Sequence, residues 1–357
     1  MQPKDLQKNI HSRRGFLQFL GAGTLGMLTA PTSFPQPKQT LSNLNKLLHY
    51  DNPAIGYTPI LKLRHLTDPN HAEVWVKWEG ANPTGSMKDR MALGMIESAE
   101  KAGKLKPGMR VIEMTGGSTG SSLAMVCSQK GYKTHFVTTD AISMEKRLTM
   151  KALGAHLDTL PSHGHGISPE LVARSLERIK ELNEEPDTYW TNQFGNSNNA
   201  LGYHALGHEL KQFGHVDAFV MGVGTGGCIT GVATVLKASE TGPQPWVVAV
   251  EPAASKNLSG GPTGSHRIEG IGIGFVPETA RLDLIDEIEA VSDEEAFQTT
   301  RDLARYEGWL AGPSSGANVA AAKRIAKRLG KGKKVVTLLC DSGLRYLSLD
   351  LFGKEKT

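Results

Sequence analysis

From residue 47 onward, short apolar runs alternate with stretches whose apolar residues recur at helical spacing. Val74-Trp75-Val76-Lys77-Trp78 alternates as a strand does, and Val111-Ile112-Glu113-Met114 is a strand that runs straight into a glycine turn. His135-Phe136-Val137, Ala218-Phe219-Val220-Met221, Trp246-Val247-Val248-Ala249-Val250 and Val335-Val336-Thr337-Leu338-Leu339 are further short, valine-rich runs. Between them, Asp89–Ala102 and Pro169–Glu184 carry helical periodicity. Strand, turn and helix in repetition predict a mostly parallel α/β sheet covered on both faces. Met91, Met95 and Ala99 fall on one side of the first of these helices and are predicted to pack in the core. No internal repeat or low-complexity segment interrupts the pattern.

Two of the strand-to-helix junctions are rich in glycine. Gly224-Thr225-Gly226-Gly227-Cys228 follows the run ending at Met221 and opens an apolar helix expected over Ile229–Ala238. Glycines let a backbone approach a phosphate closely, and a helix start offers unpaired N–H groups and the positive end of the dipole. Thr225 adds a hydroxyl. The turn is neither a Walker A loop nor a dinucleotide fingerprint, and taken alone it reads equally well as an ordinary tight turn. Thr115-Gly116-Gly117-Ser118-Thr119-Gly120 likewise follows a strand and opens a helix, expected over Ser121–Lys130. Two such turns suit two anions. Lys88, in Asn82-Pro83-Thr84-Gly85-Ser86-Met87-Lys88-Asp89-Arg90, sits at a turn-to-helix junction. It is either a solvated surface lysine or, if partly desolvated, a nucleophilic amine.

Length and composition narrow the class. The 357 residues suffice for two medium domains, and 39% hydrophobic with 21% charged residues is ordinary for a globular protein. The forty glycines fall largely at the ends of apolar runs, which fits ligand-approaching turns and not disorder. Residues 1–40 hold Lys4, Lys8, Arg13, Arg14 and Lys38 against Asp5, a surplus equal to the +4 of the whole chain. The rest is balanced, so no global bias toward nucleic acid is expected. Cys127, Cys228 and Cys340 show no metal-like spacing and are expected to be small buried hydrophobes without disulfides.

Residues 1–40 are expected to be a targeting leader and linker. Ser12-Arg13-Arg14-Gly15-Phe16-Leu17-Gln18 resembles the twin-arginine export signature, and the Gly/Ala-rich stretch Phe16–Ala30 is too short and weak to span a membrane. The expected location is therefore periplasmic or exported, with a cytoplasmic protein carrying a frayed basic extension as the alternative. Membrane contact is expected only through an uncleaved leader.

Taken together, Lys88 and the two glycine turns resemble the β-family, or fold type II, of pyridoxal-phosphate enzymes, and within it cysteine synthase (O-acetylserine sulfhydrylase) and the catalytic core of cystathionine β-synthase. The resemblance runs from Ile55-Gly56-Tyr57-Thr58-Pro59 to Asp341-Ser342-Gly343-Leu344-Arg345-Tyr346-Leu347-Ser348. It implies an α/β fold of two domains, each with a mostly parallel sheet flanked by helices: a larger one over 41–85 and 201–353, and a smaller one over 86–200. It implies pyridoxal 5'-phosphate as cofactor, no metal, and a homodimer. Lys88 would hold the cofactor covalently and move the α-proton. Gly224, Thr225, Gly226, Gly227 and Cys228 would bind its phosphate. Ser118 would reach its phenolic oxygen and Ser314, in Gly312-Pro313-Ser314-Ser315-Gly316, its ring nitrogen. Thr115, Gly116, Gly117, Thr119 and Gln193 would bind the substrate carboxylate, and Gly270, in Gly270-Ile271-Gly272-Ile273-Gly274-Phe275, would face the site mouth. Ser314 also reads as a helix N-cap. A neutral hydroxyl at the ring nitrogen makes a milder electron sink, favouring α-proton removal with prompt loss of a β-substituent.

The family pattern Thr-Ser-Gly-Asn-Thr-Gly is replaced here by Thr115-Gly116-Gly117-Ser118-Thr119-Gly120, and Cys228 stands where threonine is usual. Residues 1–50 carry no haem-ligand pattern, and no regulatory domain is expected after residue 353. The expected reaction is β-replacement on O-acetyl-L-serine, in which sulfide displaces acetate to give L-cysteine. The expected partners are a small amino-acid substrate and a thiol or sulfide. One alternative is a β-elimination lyase, a cysteine desulfhydrase or serine/threonine dehydratase. Another is a binding protein that keeps the fold without turnover.

Overall fold

The apolar runs become strands one to four residues longer than their pattern marks, in a computed structural model that describes residues 54–164, 168–238 and 243–353. The leader expected over 1–40 lies outside the described residues. The chain enters through β1 (Ile60–Lys62) and β2 (Glu73–Trp78), then α1 (Lys88–Lys101). It continues with β3 (Arg110–Met114), α2 (Ser118–Lys130), β4 (Lys133–Thr139), α3 (Met144–Ala152), β5 (His156–Leu160), α4 (Pro169–Asn183) and β6 (Thr188–Trp190). After α5 (Asn198–Leu201) and α6 (His204–Phe213) come β7 (Ala218–Gly222), α7 (Gly227–Lys237), β8 (Trp246–Pro252) and β9 (Glu287–Val291). The chain closes with α8 (Asp293–Asp302), α9 (Pro313–Leu329) and β10 (Lys334–Leu339).

Two sheets result. The larger runs β1-β2-β10-β7-β8-β9 and is parallel except where β1 pairs β2; the smaller, β5-β4-β3-β6, is parallel throughout. Strand alternation sends successive side chains to opposite faces. Val220, Val248, Val250, Val335 and Leu339 therefore pack with Val319, Ala322 and Ile325 of α9 on one face. Phe219, Met221, Val247, Ala249, Val336 and Leu338 pack on the other, with Met91 and Met95 of α1 and Val232 of α7. Met91, Met95 and Ala99 are buried as their spacing predicts. Each of the two methionines contributes roughly 1.5–3 kcal/mol of transfer free energy. A parallel sheet with helices on both sides leaves its ligand crevice at the carboxyl ends of the strands, which is where the glycine turns lie.

Three helix starts differ from the sequence reading. α1 begins at Lys88 itself, α2 at Ser118 and α7 at Gly227. Ser118, Thr119 and Gly120 therefore form a first helical turn and not a loop. The reason is that Gly117 takes φ +109°, a backbone that stops the chain as a turn and releases the next residue into the helix.

Candidate active site

Lys88 is pinned at the end of β10. The Met87 N–H donates to Cys340 O at 2.8 Å, Ser86 bridges Asp341, and the Lys88 N–H donates to Ser86 Oγ at 3.3 Å. Its side chain is half-buried, and its Nζ makes no hydrogen bond or ion pair among the described residues. Asp89 closes the preceding turn, accepting from Thr84 N at 2.8 Å and Thr84 Oγ1 at 2.5 Å. Arg90 enters a buried network: Nε donates to Glu79 at 2.7 Å, Nη1 to Glu209 at 2.6 Å, and Lys77 pairs the same Glu209 at 2.7 Å. Burial pushes the Glu209 carboxyl up, but Arg90 and Lys77 outweigh it and bring its pKa to about 2.

The lysine faces an open cleft lined by segments from several strand ends and helix starts. One wall is the turn after β7. Gly226 caps α7 at φ +82° with no side-chain acceptor, and a Cβ there would stand 2.6 Å from the Ala280 methyl. A Cβ on Gly224 would stand 2.1 Å from Gly270 O, so only glycine lets the two segments meet. The uncapped first turn of α7 offers its amides to an anion. Thr225 and Cys228 line the cleft with them. Gly227 does not: a Cβ there would strike Asn199 Oδ1, so this glycine serves helix packing.

Ser314 lines the far side, buried to 4% exposure, with Gly270 across from it. The N-cap of α9 is Gly312, so the capping role read for Ser314 is not the one it has. Proline at the first helical position starts this helix instead, and the Ser314 hydroxyl lines the cleft beside the Cys340 thiol, with which it hydrogen-bonds. Cys228 and Cys340 are free thiols, as is Cys127. Burial pushes the Cys340 thiol up to about 12 and Cys228 well above its ordinary value. Neutral thiols are poor nucleophiles, so neither cysteine of this cleft is primed to react.

Of the second glycine turn, only Ser118 reaches the cleft wall. Thr115 Oγ1 accepts from the Gly117 and Gly120 amides at 3.0 Å and so shapes the turn from within. Thr119 Oγ1 donates to Gln193 Oε1 at 2.7 Å, and Gln193 Nε2 donates to Met114 O at 2.7 Å. Thr115, Gly117, Thr119 and Gln193 are buried behind the wall, whereas Gly116 is exposed with open space where a Cβ would be. Behind them Glu113 accepts from Thr191 Oγ1 at 2.5 Å and from the Gln193 N–H at 3.0 Å. Its complete burial pushes the carboxyl up to about 7.

The sequence reading assigned no role to Asp341 or Tyr346, and both line the cleft. Asp341 Oδ2 accepts from the Tyr346 hydroxyl at 2.6 Å and lies 3.5 Å from Ser118 Oγ, while Oδ1 is buried without a partner. A buried polar atom left open at a cleft wall is a docking point for a ligand donor or water. The available signal was an acid placed directly after the apolar run of β10, at the end of a parallel strand.

Comparison with known proteins bears on the same residues. The family described as pyridoxal-phosphate dependent enzyme matches residues 52–341. A cysteine synthase from Staphylococcus aureus is 46% identical over 303 residues, covering 84% of this chain and 95% of that protein. The crystal structure of cysteine synthase from Entamoeba histolytica superposes with a TM-score of 0.78 at 31% identity, covering 94% of this chain and 96% of the other. A hydrogen sulfide-producing enzyme from Fusobacterium nucleatum superposes with a TM-score of 0.76 at 39% identity, covering 82% and 98%.

Proposed function

Because the chain belongs to the pyridoxal-phosphate dependent enzymes, we propose that it is a cysteine synthase, replacing the acetoxy group of O-acetyl-L-serine with sulfide. The cleft fits the cofactor. It presents a free amine, a helix start without a side-chain cap, and a neutral hydroxyl opposite. Lys88 would hold the aldehyde carbon, the backbone of Gly224, Thr225, Gly226 and Cys228 the phosphate, and Ser314 the ring nitrogen. When bound, pyridoxal phosphate supplies an electron sink that acidifies the α-proton of an amino acid and lets its β-substituent leave.

The chain's own residues do the rest. Lys88 Nζ, unpaired and half-buried, takes the proton from the substrate's Cα and returns it after the nucleophile has added. The hydroxyl of Ser314 carries no charge, which favours elimination of the β-substituent over reactions that need a fully protonated ring. Ser118 on the cleft wall, with the exposed backbone at Gly116 beside it, would receive the substrate carboxylate. Thr119, Gln193 and Glu113 hold that wall in place from behind.

The observation that carries the reading is the unpartnered Lys88 amine facing the uncapped start of α7, in a chain 46% identical to a cysteine synthase. The test gives purified holoenzyme O-acetyl-L-serine with and without sulfide and measures cysteine and pyruvate. Cysteine in excess supports replacement. Pyruvate in excess, with or without sulfide, overturns it in favour of the β-elimination reading, which the likeness to a hydrogen sulfide-producing enzyme supports. A homodimer and export by the twin-arginine leader belong to the same proposal. Light scattering of the purified protein tests the first, and periplasmic loss on Arg13→Lys with Arg14→Lys tests the second.

A further inference from the structure

The smaller sheet carries a cluster of metal-ligating side chains that the proposed reaction does not use. In β4 and β5 the register pairs His135 with His156, and Asp158 stands two residues beyond His156 on the same face. Three donors of the right kind are thereby brought to one spot at the sheet edge, since β5 is the outermost strand. His135 Nε2 lies 3.0 Å from Asp158 Oδ1, and His156 Nε2 lies 3.5 Å from the same oxygen. Four ligands at tetrahedral zinc distances stand about 3.3 Å apart, midway between these two values. None of the cleft-lining residues takes part.

A second observation points to a ligand. His135 is 7% exposed, and its Nε2 is buried without a hydrogen-bond partner although Asp158 is so near. The ring nitrogen and Oδ1 stand side by side at 3.0 Å, close enough to share one ion. Arg178 Nε donates to the other oxygen, Oδ2, at 2.7 Å. That contact leaves Oδ1 as a single ligand atom, the outer-shell arrangement that orients a metal-binding carboxylate. Its positive charge opposes a cation, so the site suits an ion that imidazole binds strongly.

We propose that His135, His156 and Asp158 form a site for a divalent transition ion of the zinc class, with water in the fourth position. The ion ties the edge strand β5 to β4, and the 69% exposure of the His156 side chain gives it a path in. Two imidazoles and a carboxylate favour zinc and its neighbours over magnesium or calcium, which take oxygen ligands.

Zn2+ is titrated calorimetrically into the full-chain holoenzyme, with thermal unfolding as a second readout. The expected result is one site per chain and a higher Tm with zinc. His156→Ala and Asp158→Asn are then expected to weaken binding by more than about 100-fold, beyond what loss of an outer partner costs, and to lose the Tm rise. Both leave the cofactor's absorbance unchanged. His156 is exposed, so its replacement leaves the fold intact. His208→Ala on α6 serves as the control and should bind as before. Absence of zinc binding by the native chain overturns the proposal, as does unchanged affinity in His156→Ala or a loss confined to His208→Ala.

Discussion

Helices α4 and α8 begin on serines: Ser168 Oγ accepts from the Leu171 amide and Ser292 Oγ from the Glu295 amide. The helices that open onto the cleft begin differently. α1, α2, α7 and α9 start on Met87, Gly117, Gly226 and Gly312, and no side chain caps any of them. Three of these four N-caps are glycine, which gives up only a few tenths of a kcal/mol relative to a capping serine. The contrast gains its meaning from position. A missing cap alone does not mark a ligand site, since α3, α5 and α6 also start without one. What sets the α7 start apart is that it opens into the cleft beside Lys88, where an anion can meet its amides.

Removing the one reactive group at an uncapped start has the largest expected effect. Lys88→Ala should lower turnover more than about a thousandfold with Tm of the cofactor-free protein unchanged, measured by cysteine formation and calorimetry. Next, Glu113 tests the contrast from the other side, because here amides near the substrate edge are satisfied by a buried acid. Its carboxyl titrates near 7 when folded and near 4.5 when exposed. The folded chain thus holds a proton that the unfolded chain releases, and stability falls as pH rises from about 4.5 to 7, by up to roughly 3 kcal/mol. Glu113→Gln should flatten that slope in urea titrations across the window; an unchanged slope would assign it to other groups.

Gly226→Ala should weaken cofactor binding more than about tenfold, or about 1.4 kcal/mol, because the methyl meets Ala280 in a left-handed backbone. Fluorescence titration of the stripped protein reads this directly. Ser292→Ala should cost about 1 kcal/mol of stability and leave turnover alone. Equal losses of turnover in Ser292→Ala and Gly226→Ala would erase the distinction between the two kinds of helix start.

The sequence made the catalytic half of this arrangement visible, since lysine and clustered glycines announce themselves by type and order. It was less informative about β1, β5, β6 and β9. β1 and β6 are three residues long, too short for periodicity, while His156-Leu157-Asp158-Thr159-Leu160 and Glu287-Ile288-Glu289-Ala290-Val291 mix polar and apolar residues without a regular repeat at the sheet edges. The continuous valine runs that betray buried strands are absent there. Gln193 and Thr119 were read as substrate ligands from resemblance, whereas the fold turns their side chains toward each other. Asp341 and the pairing of His135 with His156 depend on register, which appears only when strands are laid side by side.

Arg90 stands two residues after Lys88, and its guanidinium is clasped by Glu79 and Glu209, all three side chains buried. Dragging that clasp apart leaves bare charges in a poor dielectric, a cost of several kcal/mol. The main chain beneath the amine is thus a fixed post. Whatever reach the amine needs between one atom of its substrate and the next must come from four methylene joints swinging on a stationary mount.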